Sequence, residues 1–311
     1  MAGRKRKLKP GYFIAGVIVV VLVLLANLAD KNLMPSFLQR PVDSLNKATG
    51  GVIYAQQLQP LRNLSVHIID VGQGDSIFIY CDGENMLIDG GPGAANGKTD
   101  SYLKSYGITS LKYLIATHPH EDHIGGLPAV LGNIKSQTLI MPDATTNTNI
   151  FTDFLNIVKQ KSLKATKPVP GTKYSLGGGS FTIIAPNASY DDLNNMSVVI
   201  RFVYKNNSVL FTGDCSKASE EDILKKGFEL KSDVLKVGHH GSTTATSDAF
   251  LKAVKPSLAV ISAGKNNIYK LPDNSTLIKL KAAGVKTLRT DQSGTIIIES
   301  DGDKITYETE K

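Results

Sequence analysis

Apolar residues run almost unbroken from Tyr12 to Ala29, interrupted only by Asn27, then thin out and return after Leu64 as short strand-length runs. The first run, about 18 residues, reaches the lower limit for a helix that spans a bilayer. Arg4, Lys5, Arg6, Lys7 and Lys9 precede it, and no acid comes before Asp30. The positive-inside rule therefore leaves the N-terminus in the cytoplasm and exports the rest of the chain. A cleaved signal peptide would export the chain equally well. The Asn27-Leu28-Ala29 sequence is a poor cleavage site, which favours an uncleaved anchor. Residues 30–63 carry Pro35, Pro41 and Pro60 with Gly50–Gly51 and show no sustained periodicity; they read as a tether.

From Leu64 the periodicity is that of strands. SVHIIDVG, SIFIYC and NMLIDGG, separated by glycine-rich turns, predict an antiparallel meander. A buried strand is expected at Leu111–Ala116, and others at Thr138–Met141, Phe181–Ala185, Ser197–Tyr204, Ser208–Phe211, Asp233–Val237 and Leu258–Ser262. Helical patterns cover Lys98–Tyr106, Ile124–Leu131, Asn149–Lys159, Ser219–Lys226, Ser247–Val254 and Ser275–Ala283, and two or three strands close the chain. The Lys205–Ser208 stretch reads as a hairpin turn in which Asn adopts positive φ. The SLGGGS stretch from Ser175 turns the chain into the next strand. This mixture predicts two β-sheets face to face with helices outside, an α+β class. The organisation is a basic N-terminus and anchor or signal segment over 1–29, a linker over 30–63, and one domain over 64–311.

Composition changes this picture little. With 41% hydrophobic and 20% charged residues, the chain is an ordinary globular one. The net charge of +7 is mostly the N-terminal cluster; beyond it 30 basic residues face 28 acidic ones. The basic balance is a topology signal and not a nucleic-acid surface. Cys81 and Cys215 have no metal or redox spacing and read as two buried thiols, with a disulfide as the alternative outside the cell.

The histidines are informative. Of six in the chain, His118, His120 and His123 lie in THPHEDHIGGL, together with Asp122, and His239–His240 form a pair. Imidazole and carboxylate are the usual ligands of a borderline divalent metal. His118 and His120, two apart in an extended loop, can point the same way. Asp122 and His123 begin a helix, where adjacent residues diverge, so the loop can serve two metals. Gly125–Gly126 permits close packing below. Asp214 ends the strand VLFTGD, a suitable place for a bridging carboxylate. His239–His240 leave a strand, whose alternation would put them on opposite sides, so one is the ligand and the other faces substrate. His67, alone in an alternating strand, reads as a satisfied core histidine. Asp70, Gln73 and Asp75 in VGQGDS, and Asp89 in LIDGG, fall at strand ends on the same rim.

THPHEDHIGG resembles the HxHxDH signature of the metallo-β-lactamase fold superfamily. With TGD at Asp214 and HHGS at His239, the pattern is similar to the hydrolase domain of the ComEC competence channel and its free-standing exported relatives. The resemblance runs from about Ser65 to Tyr307. It implies a four-layer αβ/βα sandwich with the metal site at one edge between the sheets. It further implies two divalent ions, Zn or Mn. His118, His120 and Asp214 would hold one; Asp122, His123, Asp214 and His240 the other. Asp89 would orient a ligand histidine, and Asp122 and His239 would be catalytic, His239 facing substrate with Ser242 beside it. No histidine lies between Ile124 and Asp214; Asn194, Asn195 and Ser197 in NNMSVV would supply neutral oxygens there or hold a water. Gln73 and Asp75 would reach toward the metal-bound water or substrate, with Asp70 on the same rim as a further substrate or supporting group. Where the group shows NxYGHP, this chain has Asn267 to Pro272 with Leu271 replacing the histidine, which weakens the case for DNA.

The implied activity is hydrolysis of a phosphodiester, in nucleic acid or a phosphorylated surface compound, by a water shared between two metals. Superfamily members with di-iron redox chemistry usually place an acid where this chain has His120, and the ligand set differs from that of β-lactam hydrolases. The rival is a surface-anchored, non-catalytic module that keeps a structural metal. The expected location is a single-pass membrane protein with its catalytic domain outside the cytoplasm, or a secreted protein if the segment is cleaved. No protein partner is expected, and a single hydrophobic segment cannot build a pore.

Overall fold

A computed structural model of the chain describes residues 61–95 and 97–311. The expected N-terminal helix and linker over residues 1–60 lie outside the described residues. Among the described residues no helix is long and apolar enough to cross a membrane.

The described chain opens with the expected meander, β1 (Leu64–Ile68), β2 (Ile77–Cys81) and β3 (Glu84–Ile88), paired antiparallel throughout. Helix α1 (Lys98–Ser105) leads to β4 (Ser110–Ile115). Two short helices, α2 (Glu121–Ile124) and α3 (Leu127–Asn133), precede β5 (Lys135–Ile140), α4 (Asn149–Gln160) and the two-residue β6 (Ala165–Thr166). A run of four strands comes next: β7 (Lys173–Leu176), β8 (Gly179–Ala185), β9 (Val199–Tyr204) and β10 (Asn207–Phe211). Helix α5 (Lys217–Lys226), β11 (Val234–Lys236), α6 (Asp248–Val254), β12 (Leu258–Ile261), α7 (Asn274–Ala282) and β13 (Lys286–Arg289) alternate after that. The short α8 (Thr290–Ser293) and the hairpin β14 (Ile296–Ser300) and β15 (Ile305–Thr309) close the chain.

The strands form two sheets, in the orders β15-β14-β1-β2-β3-β4-β5-β6 and β13-β12-β11-β10-β9-β8-β7. Alternation along each strand sorts side chains into three cores. Val66, Ile79, Ile115, Phe181, Phe202 and Phe211 meet between the sheets. Phe78, Leu87 and Leu114, from the other face of the first sheet, pack against Leu103, Val130 and Phe154 of α1, α3 and α4. Leu210, Leu235 and Ala259, from the far face of the second, pack against Ile223, Phe250 and Leu280 of α5, α6 and α7. Each fully buried Phe or Leu contributes roughly 1.5–3 kcal/mol. The result is four layers, helix–sheet–sheet–helix, as expected. Both cysteines are free and buried.

Two local expectations differ from the structure. The helix expected over Ile124–Leu131 is broken by Gly125–Gly126, which press on the backbone after β3. A Cβ on Gly126 would lie 2.1 Å from the Gly90 oxygen, and one on Gly125 2.3 Å from the Gly93 nitrogen. In the β9–β10 turn positive φ falls on Lys205 (50°) and not on an asparagine, because Asn207 is already in β10, accepting a hydrogen bond from Ser300 Oγ. No strand is expected from the sequence at the edge strands β6 and β7, although β7 alternates, with Tyr174 and Leu176 turned into the core between the sheets.

Because β3 and β4 are parallel, and β10, β11 and β12 are parallel, their C-terminal ends reach one edge of the sandwich. Asp89, the His118–His123 motif, Asp214 and the His239–His240 pair all follow one of those ends.

Candidate metal centre

β4 ends at Ile115, and Thr117 and His118 come next at the sheet rim, both buried. His118 Nε2 lies 3.0 Å from His120 Nδ1, so the two side chains do converge. Asp122 and His123 do not diverge. His123 Nε2 is 3.9 Å from Asp122 Oδ2 and 3.3 Å from Asp214 Oδ2. Asp214, delivered by the β10 end, is the hub, because its Oδ2 also lies 3.4 Å from His240 Nε2, 3.8 Å from His239 Nε2 and 3.9 Å from His118 Nε2.

Strand alternation does not separate His239 from His240. β11 stops at Lys236, and both histidines adopt left-handed backbone, with φ of 47° and 53°. Both Nε2 atoms therefore face Asp214. They differ in exposure: the His239 side chain is 25% exposed and His240 only 2%. His240 Nε2 is also 3.1 Å from Asp122 Oδ2.

The groups behind these side chains fix their ring orientation. Asp89 leaves β3 with φ of 57°, a left-handed conformation that Asp tolerates better than most residues. This turns its fully buried carboxylate onto Thr117, accepting from the backbone N–H (2.8 Å) and hydroxyl (2.7 Å), and onto His123 Nδ1 (2.7 Å). Ser262 carbonyl lies 3.1 Å from His240 Nδ1. Ser197 Oγ is 3.3 Å from His118 Nδ1 and accepts from the Asp214 N–H. Thr244 Oγ1 is 2.9 Å from His239 Nδ1 and 3.0 Å from Ser242 Oγ.

Other candidate residues are engaged elsewhere. Asn195 Oδ1 accepts from Ser216 and Ser219 N–H groups at the start of α5, so this oxygen serves a helix end and is not offered to a cation. Asn194 Oδ1 is buried without a partner. Gln73 Oε1 accepts from Gly264 N–H. Asp75 is buried behind His240, bonded to Lys236, so it does not face substrate. Asp70 accepts from Gly72 N–H and lies 3.6 Å from Lys311 Nζ. His67 is buried, its Nδ1 2.8 Å from Tyr102 Oη, but its Nε2 has no partner. Burial pushes its pKa down to about 3.

The electrostatics mark one cluster. Burial opposes charge on His123, yet Asp214, Asp122 and Asp89 outweigh it and hold the imidazole well above its usual range. His240 is pushed up to about 10 in the same way: burial opposes, while Asp214 and Asp122 prevail. Burial would raise Asp214, but His240 and His123 hold it well below the carboxylate range. His118 goes the other way, lowered by burial and by the neighbouring His123.

The donor set fits a divalent ion. Asp122, His123, Asp214 and His240 offer one donor atom each, all within 4.8 Å of one another. His123 Nε2 and Asp214 Oδ1, both buried, lack hydrogen-bond partners. Among the described residues, His118, His120 and Asp214 do not form such a set. A cavity of about 870 Å³ between α6 and α7 is lined by Leu251, Ile278 and Lys252 and does not include the cluster. Chemistry locates this site, and cavity size does not.

The sequence pattern of the metallo-beta-lactamase superfamily matches residues 69–265. The chain belongs to that superfamily. It is 32% identical over 251 residues to "ComE operon protein 3" of Bacillus subtilis (strain 168), covering 74% of this chain and 32% of that protein. It is 31% identical over 291 residues to "Competence protein ComA" of Neisseria gonorrhoeae, covering 92% and 40%. The chain thus spans between about a third and two fifths of these relatives' length. Among solved structures, the metallo-beta-lactamase fold protein YhfI from Bacillus subtilis matches with a TM-score of 0.50 and 11% identity, over 79% of this chain and 100% of that one. That likeness concerns the fold alone.

Sequence reasoning did not single out Thr117, Lys236, Thr244 or the Ser262 carbonyl. Lys236 had a signal, a lysine inside the apolar run Val234–Val237. The Ser262 contact is made by backbone and has none.

Proposed function

We propose that this chain is an exported, metal-dependent phosphodiesterase acting on nucleic acid or a phosphorylated surface compound. The observation that supports it most is the convergence of Asp122, His123, Asp214 and His240, with two buried donor atoms left without partners. The name of one relative, "Competence protein ComA", refers to competence, which favours nucleic acid between the two substrate classes.

Asp122, His123, Asp214 and His240 would hold one divalent ion; His118 and His120, with Asp214 shared, would hold a second, weaker one. Zn²⁺ or Mn²⁺ bound there supplies Lewis acidity and lowers the pKa of a water. The protein's own groups do the rest. His123 Nδ1–H donates to Asp89 and His240 Nδ1–H to the Ser262 carbonyl, so Nε2 of each ring is the atom that would bind a metal once its proton is displaced. Asp122, with a side chain 27% exposed, and His239 form its open wall. If His239 Nδ1 accepts from the Thr244 hydroxyl, its Nε2–H faces the site and can donate to the departing oxygen. Burial lowers the pKa of His239.

The test is turnover of a chromogenic phosphodiester by chelator-treated protein, before and after adding Mn²⁺ or Zn²⁺. Metal-dependent turnover is expected. Metal binding without turnover of DNA, RNA or any phosphodiester offered would favour the non-catalytic module instead.

A further inference from the structure

Lys236 is the one lysine or arginine buried among the described residues, at 1% exposure. Its Nζ lies 2.7 Å from Asp75 Oδ2, itself 1% exposed, and donates to the Val237 carbonyl at 3.0 Å. The partners are far apart in sequence and come from different sheets. Asp75 precedes β2; Lys236 ends β11, three residues before His239. An ion pair this deep needs a reason, since desolvating both charges offsets much of their attraction.

Its surroundings give one. Asp75 N–H donates to the Asp122 carbonyl at 3.1 Å. Next to it, a Cβ on Gly74 would lie 2.2 Å from that same carbonyl oxygen, so the Asp75 loop sits directly against the Asp122 backbone. On its other side Asp75 Oδ1 has no hydrogen-bond partner and lies 3.6 Å from His240 Nδ1. The pair therefore touches the backbone of one proposed ligand and the ring of another, and these two arrive from opposite sheets. Asp75 also comes within 4.8 Å of Asp89 and His123. Asp75, Asp89, Asp122 and Asp214 thus cluster around His123 and His240, and Lys236 is the lysine that holds the first of them.

We infer that Asp75 and Lys236 form a positioning pair that sets the spacing and charge of the Asp122/His240 side of the metal centre. The inference rests on the reading of this cluster as a metal centre. Neither residue touches substrate or metal. The pair replaces the substrate-facing role that its place in the VGQGDS loop suggested for Asp75. A buried pair serving only stability can often be exchanged for neutral groups of similar shape without loss. A positioning pair cannot, because ligand spacing and charge then change while the fold persists. Partners behind metal ligands typically matter about 10–100-fold in metal affinity.

The experiment is Co²⁺ titration of the full chain, monitored by the visible absorption of the bound ion, for parent, Asp75→Asn, and the double variant Asp75→Asn/Lys236→Met. Melting of the metal-free proteins is monitored in parallel. The double variant is expected to melt close to the parent, to bind Co²⁺ about 10–100-fold more weakly, and to show a changed visible spectrum. Should the double variant not fold, Asp75→Asn decides alone, since Lys236 Nζ keeps the Val237 carbonyl and an amide oxygen; weaker binding with a changed spectrum is again expected. A folded variant with parental affinity and spectrum overturns the inference and leaves the metal centre intact. A parent that binds no Co²⁺ overturns the metal-centre reading and the inference with it.

Discussion

Asp89→Asn separates the shape of the supporting carboxylate from its charge. Asp89 is fully buried and accepts from the Thr117 N–H through Oδ1, and from the Thr117 hydroxyl through Oδ2, which also meets His123 Nδ1. An asparagine has one oxygen to replace two. The backbone N–H of Thr117 cannot reverse its polarity, so the remaining oxygen should stay opposite it. The new NH₂ group then faces the Thr117 hydroxyl, which can rotate to accept, and His123 Nδ1, which must become an acceptor. That moves the His123 proton to Nε2, the atom 3.3 Å from Asp214 Oδ2, and occupies the nitrogen proposed to bind metal. Weakening charge-assisted bonds at a buried site should cost about 1–3 kcal/mol of stability. Presenting the wrong tautomer should cost about 10–100-fold in metal affinity. Chemical denaturation of the metal-free protein reads the first effect, and metal titration with phosphodiester turnover reads the second. An Asp89→Asn protein with unchanged metal affinity and turnover would refute the claim that Asp89 fixes the His123 tautomer.

Three further outcomes are expected. His240→Ala should lose tightly held metal, whereas His239→Ala should keep it and lose turnover; elemental analysis and kinetics on the two variants would contradict this division of roles if the pattern were reversed. His67 has its pKa lowered from 6.5 to about 3 by burial, so the unfolded chain binds the extra proton between those values. Its contribution to stability is therefore lost progressively as pH falls through 6.5 toward 3. Going from pH 7 to pH 5, the unfolding free energy of His67→Gln should gain roughly 2 kcal/mol on that of the parent, and parallel denaturation curves at the two pH values would count against the assignment. Export predicts that protease added to intact cells lacking an outer membrane reaches the domain, or that the domain is found in the medium; full protection would exclude that topology.

The fold was legible where side-chain alternation reports burial on both faces of a sheet. β1, β2, β8, β9 and β10 track their apolar runs closely, because each packs one face between the sheets and the other under a helix. β6 and β15 were illegible or vague, because these edge strands have little to bury, and β7 offers only Tyr174 and Leu176 in four residues. The break at Gly125–Gly126 is set by the facing backbone of Gly90–Gly93, a tertiary contact that periodicity does not encode. In the site, the histidines and Asp214 were legible as scarce residue types at strand ends. Strand alternation was no basis for dividing His239 from His240, because it assumes an extended backbone where the chain turns left-handed. Asn195 and Asp75 illustrate the same limit. Both have suitable chemistry and lie close to the cluster, yet a helix end claims the Asn195 oxygen and Lys236 holds Asp75. Sequence shows which groups could bind, and only packing shows which are free to.

Asp214 is held to join the donors into a working metal centre. Asp214→Asn keeps the shape and removes the charge that the surrounding imidazoles face. Phosphodiester turnover per folded molecule, measured beside the parent after both are supplied with Mn²⁺ or Zn²⁺, is the direct measurement. At least ~10³-fold loss is expected, since the activated water accounts for several kcal/mol of the barrier, with circular dichroism unchanged because the residue lies at the rim of a large core. Near-parental turnover by Asp214→Asn with its metal still bound would contradict the account.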